Sequence, residues 1–336
     1  MNIRTKGKNW VKRSLLSSRA LHFVSRAQQP GVAILMYHSV MVEPEAHATT
    51  LGKIIQTAQT FRRQMEVIAR HYNPVSLDDV LMFVQGQKKM PSKPVVVTFD
   101  DGYADNFEVA APILNEFGIP AVFYITVDCV DRATPPWVSR LRYAFSTTGR
   151  STWSGLDGKP LPLANAAERD QAFTTACEHA ASLTGNIQEQ FVKSVEREFE
   201  VGSLPECDRL MMTWEQARAL TRQGHIVGSH TMTHPNLAHV KNGDLATELE
   251  QSKSRLEQQL SSPVIHFSYP CPILEPHWSP LTVDVCRKVG YRTAVTTNPG
   301  PVHEGDDPLS LRRVHPTTDV DGLRWNLECT FLGRAM

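Results

Sequence analysis

The sequence predicts an α/β fold, a barrel of parallel strands wrapped by helices and interrupted once by a helical insertion. Three observations carry that expectation. Short apolar, β-rich runs recur along the chain, helix-sized stretches separate most of them, and the interval 131–212 contains no strong strand. Runs that are apolar at nearly every position suit strands covered on both faces, the condition of parallel strands in α/β proteins. The alternation of strand with helix selects that class, and a closed barrel within it.

Taken in order, the predicted strands are Val32–Tyr37, Val95–Phe99, Ala121–Thr126, His225–Ser229, Val264–Tyr269, Arg292–Thr297 and Leu309–Val314. Helices are predicted over Thr60–Tyr72, Asp105–Phe117, Thr213–Gln223, Asp244–Leu260 and Val283–Val289. Several end at a glycine, Gly118, Gly224 and Gly290, where a left-handed C-cap is expected. The insertion, 131–212, falls between the third and fourth strands. It carries Pro135 and Pro136, a polar stretch from Gly149 to Pro162, and helical runs at Ala164–Ser182 and Ile187–Phe199. Loops that follow barrel strands build the active-site face, so the insertion either frames a substrate cleft or decorates the surface.

With 336 residues the chain has room for two domains or one large one with an insertion, and the expectation is a segment 1–30 followed by a barrel domain 31–336. Lys plus Arg and Asp plus Glu are both 35, so no overall basic field recruits nucleic acid. The six cysteines form no C-x-x-C pair, which argues against a zinc ribbon and fits a reducing compartment. The first 42 residues hold no acid but seven basic side chains, Arg4, Lys6, Lys8, Lys12, Arg13, Arg19 and Arg26. No apolar run there matches a signal-peptide core or a membrane span, so a cytoplasmic location is expected. Leu16, Ala20, Phe23 and Val24 fall at helical spacing. That stripe fits peripheral contact with an anionic membrane, or a helix packed on the body of the protein.

The chemistry concentrates where strands end. Val95–Phe99 runs into Asp100-Asp101-Gly102-Tyr103, placing adjacent carboxylates at the C-terminal end of a buried strand. Two buried anions need a cation or protons nearby, although an Asp-Asp-Gly turn alone could be simple capping. After the fourth strand, Ser229-His230-Thr231-Met232-Thr233-His234 spaces two histidines at i and i+4, which puts both imidazoles on one face if the backbone turns helical. Asp101, His230 and His234 would then supply three ligands and leave an open position. That is the pattern of a catalytic divalent-metal site, zinc first, with iron or cobalt equally served by the donors.

The segments T-F-D-D-G-Y and S-H-T-M-T-H together resemble the polysaccharide deacetylase family, the carbohydrate esterase family 4 enzymes with a NodB-type domain. Met36–Val40 and Gly118–Ala121 extend the resemblance, which runs from about Gly31 to Pro316 apart from the insertion. It implies a distorted (β/α)7 barrel and metal-dependent removal of acetyl groups from N-acetylated sugars. It also implies Asp101, His230 and His234 as metal ligands and Asp100 as general base. The family's third motif corresponds to Phe267-Ser268-Tyr269-Pro270-Cys271-Pro272, with Ser268 where the base-anchoring arginine belongs and Cys271 where an aromatic residue belongs. Arg312 or Arg313 is a suggested replacement for that arginine. The Cys271 N–H can still serve an oxyanion hole, because backbone donors survive side-chain exchange. Its thiol could be a nucleophile or a small filler, and no base partner for it is evident. His315, at the end of the seventh strand, takes the place of the family's general acid, with His38 as a second candidate. The expected substrate is an acetylated saccharide of a glycan or glycolipid precursor. The alternatives are O-acetyl esters, other small amides, or a carbohydrate-binding pseudoenzyme.

Overall fold

Seven parallel strands form the frame: β1 (Ala33–Tyr37), β2 (Pro94–Phe99), β3 (Ala121–Ile125), β4 (Ile226–Ser229), β5 (His266–Ser268), β6 (Thr293–Pro299) and β7 (Leu311–Arg313). The computed structural model describes residues 31–47, 51, 54–201, 210–271 and 275–334. The strands pair in chain order, with Leu35 opposite Val97, Phe99 opposite Phe123, Val122 opposite Ile226, Phe267 opposite both Ser229 and Ala294, and Val295 opposite Leu311. The outer two meet in a single parallel bridge between Leu35 and Val314. There Met36 donates to the Val314 carbonyl at 3.1 Å and Val314 donates to the Ile34 carbonyl at 2.7 Å. The barrel is therefore nearly closed.

Strand period explains what fills it. In β1, Ala33, Leu35 and Tyr37 join the core under the helices, while Ile34, with Val32 just before the strand, joins a second cluster with Val96, Val122, Tyr124, Val295 and Leu311 from four other strands. This second cluster is the lumen. The outer core holds a file of rings, with Phe99 and Phe123 stacked at 4.8 Å and Tyr37 stacked on Phe99 at 5.6 Å. Both faces of β1, β2 and β3 are thus largely apolar, which is why those runs read as continuous.

The helices are α1 (Ala58–His71), α2 (Leu77–Val84), α3 (Ala111–Glu116), α4 (Trp137–Thr147), α5 (Ala166–Ala181), α6 (Gly185–Glu198), α7 (Trp214–Arg222), α8 (Asn242–Leu260), α9 (Pro280–Val289) and α10 (Val320–Phe331). Thr57 caps α1, and Phe61, Met65 and Ile68 bury its inner stripe. Capping boxes start α7 at Thr213 and α9 at Ser279.

Four local expectations need correction. The helix expected over Asp105–Phe117 is a π-turn, Asn106–Ala110, followed by the short α3, because Pro112 has no N–H to give the carbonyl of Glu108. Helix α9 begins at Pro280 rather than Val283, since Pro at the first turn is pre-set for a helix. Helix α2 was not expected at all. Its Leu77, Val80, Phe83 and Val84 lie in the lumen cluster, and so short and apolar a run carries little helical period. Helix α10 was also not expected.

Between β3 and β4 the chain forms a short helix, Val127–Asp131, then α4, a two-residue antiparallel pair (Thr152–Trp153 with Leu161–Pro162), α5 and α6. From α4 onward these elements have a core of their own, in which Phe145 meets Trp153 and Phe199 edge-on at 5.3 and 4.8 Å, while Val127 and Val130 of the short helix join the barrel's core. The basic N-terminal segment lies outside the described residues. No described helix is long and apolar enough to cross a membrane.

Gly228 of β4 allows the lumen to be packed. A Cβ there would lie 2.5 Å from the Tyr124 ring and 2.9 Å from the His266 carbonyl oxygen. Gly228→Ala is expected to cost about 1–3 kcal/mol through overpacking, visible as a lower thermal midpoint. Gly118→Ala meets no neighbouring atom within 4 Å but sits at φ +64°, so its smaller loss would report backbone strain alone.

Candidate active site

Period two along β2 sends Val96 and Thr98 into the lumen, and Asp100 follows on the same side at the barrel's C-terminal mouth. The same parity in β7 sends Leu311 and Arg313 inward and Arg312 outward. Arg313 is fully buried and grips Asp100 with both arms, at 2.9 Å to Oδ1 and 2.8 Å to Oδ2. Its Nε donates to the Thr296 carbonyl at 2.8 Å. Arg312 instead pairs with Asp306 at 2.9 Å. Of the two arginines suggested from sequence, only Arg313 reaches the carboxylate. Burial alone would push the Asp100 carboxyl up, but the guanidinium of Arg313, helped by His230, holds it below the usual range.

Asp101 leaves the strand at φ +78° and turns its carboxylate toward the two histidines. Its Oδ1 lies 3.5 Å from His230 Nε2 and 3.3 Å from His234 Nε2. The backbone of the histidine motif is not helical. Thr231 (φ +69°) and His234 (φ +61°) are both left-handed, and the His234 N–H bonds to Thr231 Oγ1 at 2.9 Å. A tight turn rather than helical spacing brings the rings together, with centroids 5.0 Å apart. His230 Nδ1 lies 2.8 Å from the Ser268 carbonyl oxygen. That oxygen can only accept, so Nδ1 carries the proton and Nε2 keeps its lone pair toward Asp101. Burial lowers His230 to about 4, so the ring is neutral at pH 7.

The donor set fits a divalent cation. The ligand atoms of Asp101, His230 and His234 lie within 4.8 Å of one another, all three residues are buried, and both Asp101 Oδ1 and His234 Nδ1 lack a hydrogen-bond partner. Two ligands bonded at about 2.05 Å in tetrahedral geometry stand about 3.3 Å apart, the spacing found here between oxygen and nitrogen.

These groups open into a cavity of about 540 Å³ that His38, Tyr103, Cys271 and His315 also line. His315 is exposed on the cavity wall, and partial burial together with Arg313 lowers its pKa. Cys271 has the neighbour not evident in the sequence: its Sγ lies 3.2 and 3.3 Å from the ring nitrogens of His277. Burial nonetheless raises the thiol's pKa, which disfavours the thiolate a nucleophile needs.

A family model for polysaccharide deacetylases matches residues 87–294, more than half of the chain and including both motifs. The chain belongs to the polysaccharide deacetylase family. Curated relatives include the Bacillus subtilis protein YxkH, named for the same family, 20% identical over 86% of this chain and 72% of that protein. The poly-β-1,6-N-acetyl-D-glucosamine N-deacetylase of Escherichia coli is 34% identical over 102 residues, 29% of this chain and only 15% of that one. Among solved structures, the Streptococcus pyogenes deacetylase PplD in complex with acetate superposes with a TM-score of 0.59 at 20% identity, covering 90% of this chain and 99% of PplD. IcaB from Ammonifex degensii gives 0.58 at 18%, covering 90% and 98%. These likenesses bear on the fold, a NodB-type distorted (β/α)7 barrel.

Within this deacetylase fold, three groups of contacts were not legible in the sequence. Helix α4 supplies Val138, Ser139 and Arg142 to the cavity. Tyr103 places its hydroxyl 3.4 Å from Ser139 Oγ, and Trp137 Nε1 donates to the His234 carbonyl at 2.9 Å, so α4 is tied to both motif loops. Asp105 anchors the end of β1. Ser39 Oγ donates to its Oδ2, and Asn106 Nδ2 donates to its Oδ1 at 2.8 Å and to the His38 carbonyl at 2.7 Å.

Burial raises Asp105 from 3.8 to about 7. The folded state then holds a proton that the unfolded state releases between about pH 4 and 7, so stability falls as pH rises through that window. Asp105→Asn should remove that slope, worth on the order of 4 kcal/mol, in denaturation midpoints measured from pH 4.5 to 8. Arg313→Gln strands a buried carboxylate and should cost about 3–5 kcal/mol in the same assay. A midpoint within 1 kcal/mol of wild type would mean that Asp100 does not depend on Arg313.

Proposed function

We propose that the protein is a metal-dependent deacetylase that removes acetyl groups from N-acetylated sugars of a glycan or glycolipid precursor. The observation that carries this reading is one cavity holding three convergent metal donors beside a separate carboxylate fixed by a buried arginine. A ligand cluster alone binds a metal; hydrolysis also needs a group to move protons. A divalent cation held by Asp101, His230 and His234, zinc first and cobalt or iron(II) next, would polarise an acetyl carbonyl and acidify water.

In this reading Asp100 is the general base. Arg313 keeps it ionised and fixes both its oxygens, so it can take a proton from water without turning away from the cavity. The Cys271 N–H is the backbone donor offered to the tetrahedral oxyanion, the thiol side chain being incidental. His315 is the acid that delivers a proton to the departing amine, and His38 is the second candidate for that role. The pseudoenzyme alternative was motivated by the missing arginine of the third motif. It has less support now that Arg313 meets Asp100. Esters of acetylated hydroxyls would use the same groups.

Acetate release from acetylated saccharides, with and without chelator, tests the reading directly; release unaffected by chelation and by metal repletion would end it. His230→Ala, His234→Ala and Asp101→Asn should each lower bound metal severalfold by elemental analysis, since each deletes one of three donors. Asp100→Asn should keep the metal and lose turnover by about 10²–10⁴. His315→Ala should depress amide hydrolysis far more than hydrolysis of an activated ester, whose leaving group departs without a proton. An unchanged amide-to-ester ratio would move the role to His38.

A further inference from the structure

Helix α4 has two working faces. Trp137, Arg140 and Tyr143 line a separate cleft toward the rest of the insertion, while Pro136, Val138, Ser139 and Arg142 line the catalytic cavity. The split follows helical spacing, with Ser139 and Arg142 three residues apart on one face. The helix is fixed in this orientation by the bonds from Trp137 to His234 and between Ser139 and Tyr103.

The insertion's arginines are treated differently from one another. Arg140 is clamped by Glu189 and Glu196, Arg132 pairs with Asp128, and Arg150 pairs with Glu200. Arg142, although it faces the cavity, has no ion pair among the described residues. Its guanidinium lies instead over the ring of Phe173 from α5, 4.8 Å from the centroid. Stacking of this kind holds the plane of the group and leaves its N–H edges free. The other fixed charges in the cavity already have partners. Asp100 has Arg313, Asp101 faces the two histidines, and Glu275 at the rim lies 3.4 Å from His277.

We infer that Arg142 determines substrate choice, and that this cavity takes acetylated saccharides bearing an anionic group, a phosphate or a carboxylate, which the guanidinium of Arg142 binds. A planar fork of donors matches either oxyanion in two parallel bonds. This rests on the deacetylase reading above and narrows its substrate class.

The test uses one scaffold in three forms: an N-acetylglucosamine trimer, the trimer phosphorylated at a 6-hydroxyl, and the trimer oxidised at C6 to a carboxylate. Wild type is expected to favour at least one anionic form by roughly ten- to a hundredfold in kcat/KM, the range of a charge-assisted contact, and mainly through KM. Which anionic form gains separates phosphate from carboxylate. In Arg142→Gln the ratio of anionic to neutral kcat/KM should fall toward one, and in Arg142→Lys it should be partly retained. The ratio is taken within one variant, so loss of folded protein cancels. Equal use of neutral and anionic trimers by wild type would overturn the inference, as would a preference that survives Arg142→Gln. If no trimer is hydrolysed, the deacetylase reading fails by itself, and calorimetric binding of the phosphorylated against the neutral trimer decides the role of Arg142. Equal binding would then overturn it.

Discussion

The ion pair between Arg313 and Asp100 is the contact on which the rest of the site depends. Asp100 follows β2, Arg313 ends β7, and β1 lies between these strands, joined to β7 by one bridge only. The pair therefore spans a seam that a single bridge closes. Both residues are buried, so their attraction is little screened, but each has lost its hydration. What makes the arrangement tolerable is the number of bonds: two from guanidinium to carboxylate, one to the Thr296 carbonyl and a longer one to Thr98. The arrangement that closes the barrel also orients the proposed base, so fold stability and catalysis share a contact.

A second constraint is backbone strain. Asp101, Thr231 and His234 adopt left-handed backbone without being glycine, and all three sit in the loops that converge at the mouth. Each conformation costs on the order of 1–3 kcal/mol, and surrounding bonds hold it in place. Thr231 Oγ1 accepts from the His234 N–H, Trp137 Nε1 donates to the His234 carbonyl, and the Ser268 carbonyl sets the His230 tautomer. The three proposed ligands are therefore already arranged around one point, and the unpartnered, buried Asp101 Oδ1 is the atom that a cation there would satisfy.

How much of this was legible in the sequence depended on the range of the interaction. The seven strands were readable because burial on both faces leaves apolar runs, and the two motifs were readable because each packs its chemistry into a few consecutive residues. Strand ends moved by a residue or two, from Leu309–Val314 to Leu311–Arg313 for instance. The choice between Arg312 and Arg313 was decidable in principle, since Leu311 must face the lumen and parity then carries Arg313 with it. The helical backbone on which the spacing of His230 and His234 was conditioned does not form; a turn with two left-handed residues brings the rings together instead. Tyr103 beside Ser139 could not be found, because nothing local marks a contact between a strand-end turn and a helix far along the chain, and His277, although near Cys271 in sequence, lies in an irregular connection whose path no periodicity reveals.

That asymmetry also divides the protein's labour. The groups proposed to move protons or to hold a metal follow strand ends, where a rigid frame places them and short motifs announce them. The side chains of α4 that line the opposite wall of the cavity come from the insertion, whose core is separate from the barrel's and whose helix α4 touches the site through only a few bonds. A residue such as Arg142 can change without disturbing the barrel core, whereas Arg313 cannot. Recognition can therefore vary while the chemistry stays fixed. The motifs that make the reaction class readable carry no information about the sugar, which must be read from the cavity wall opposite them.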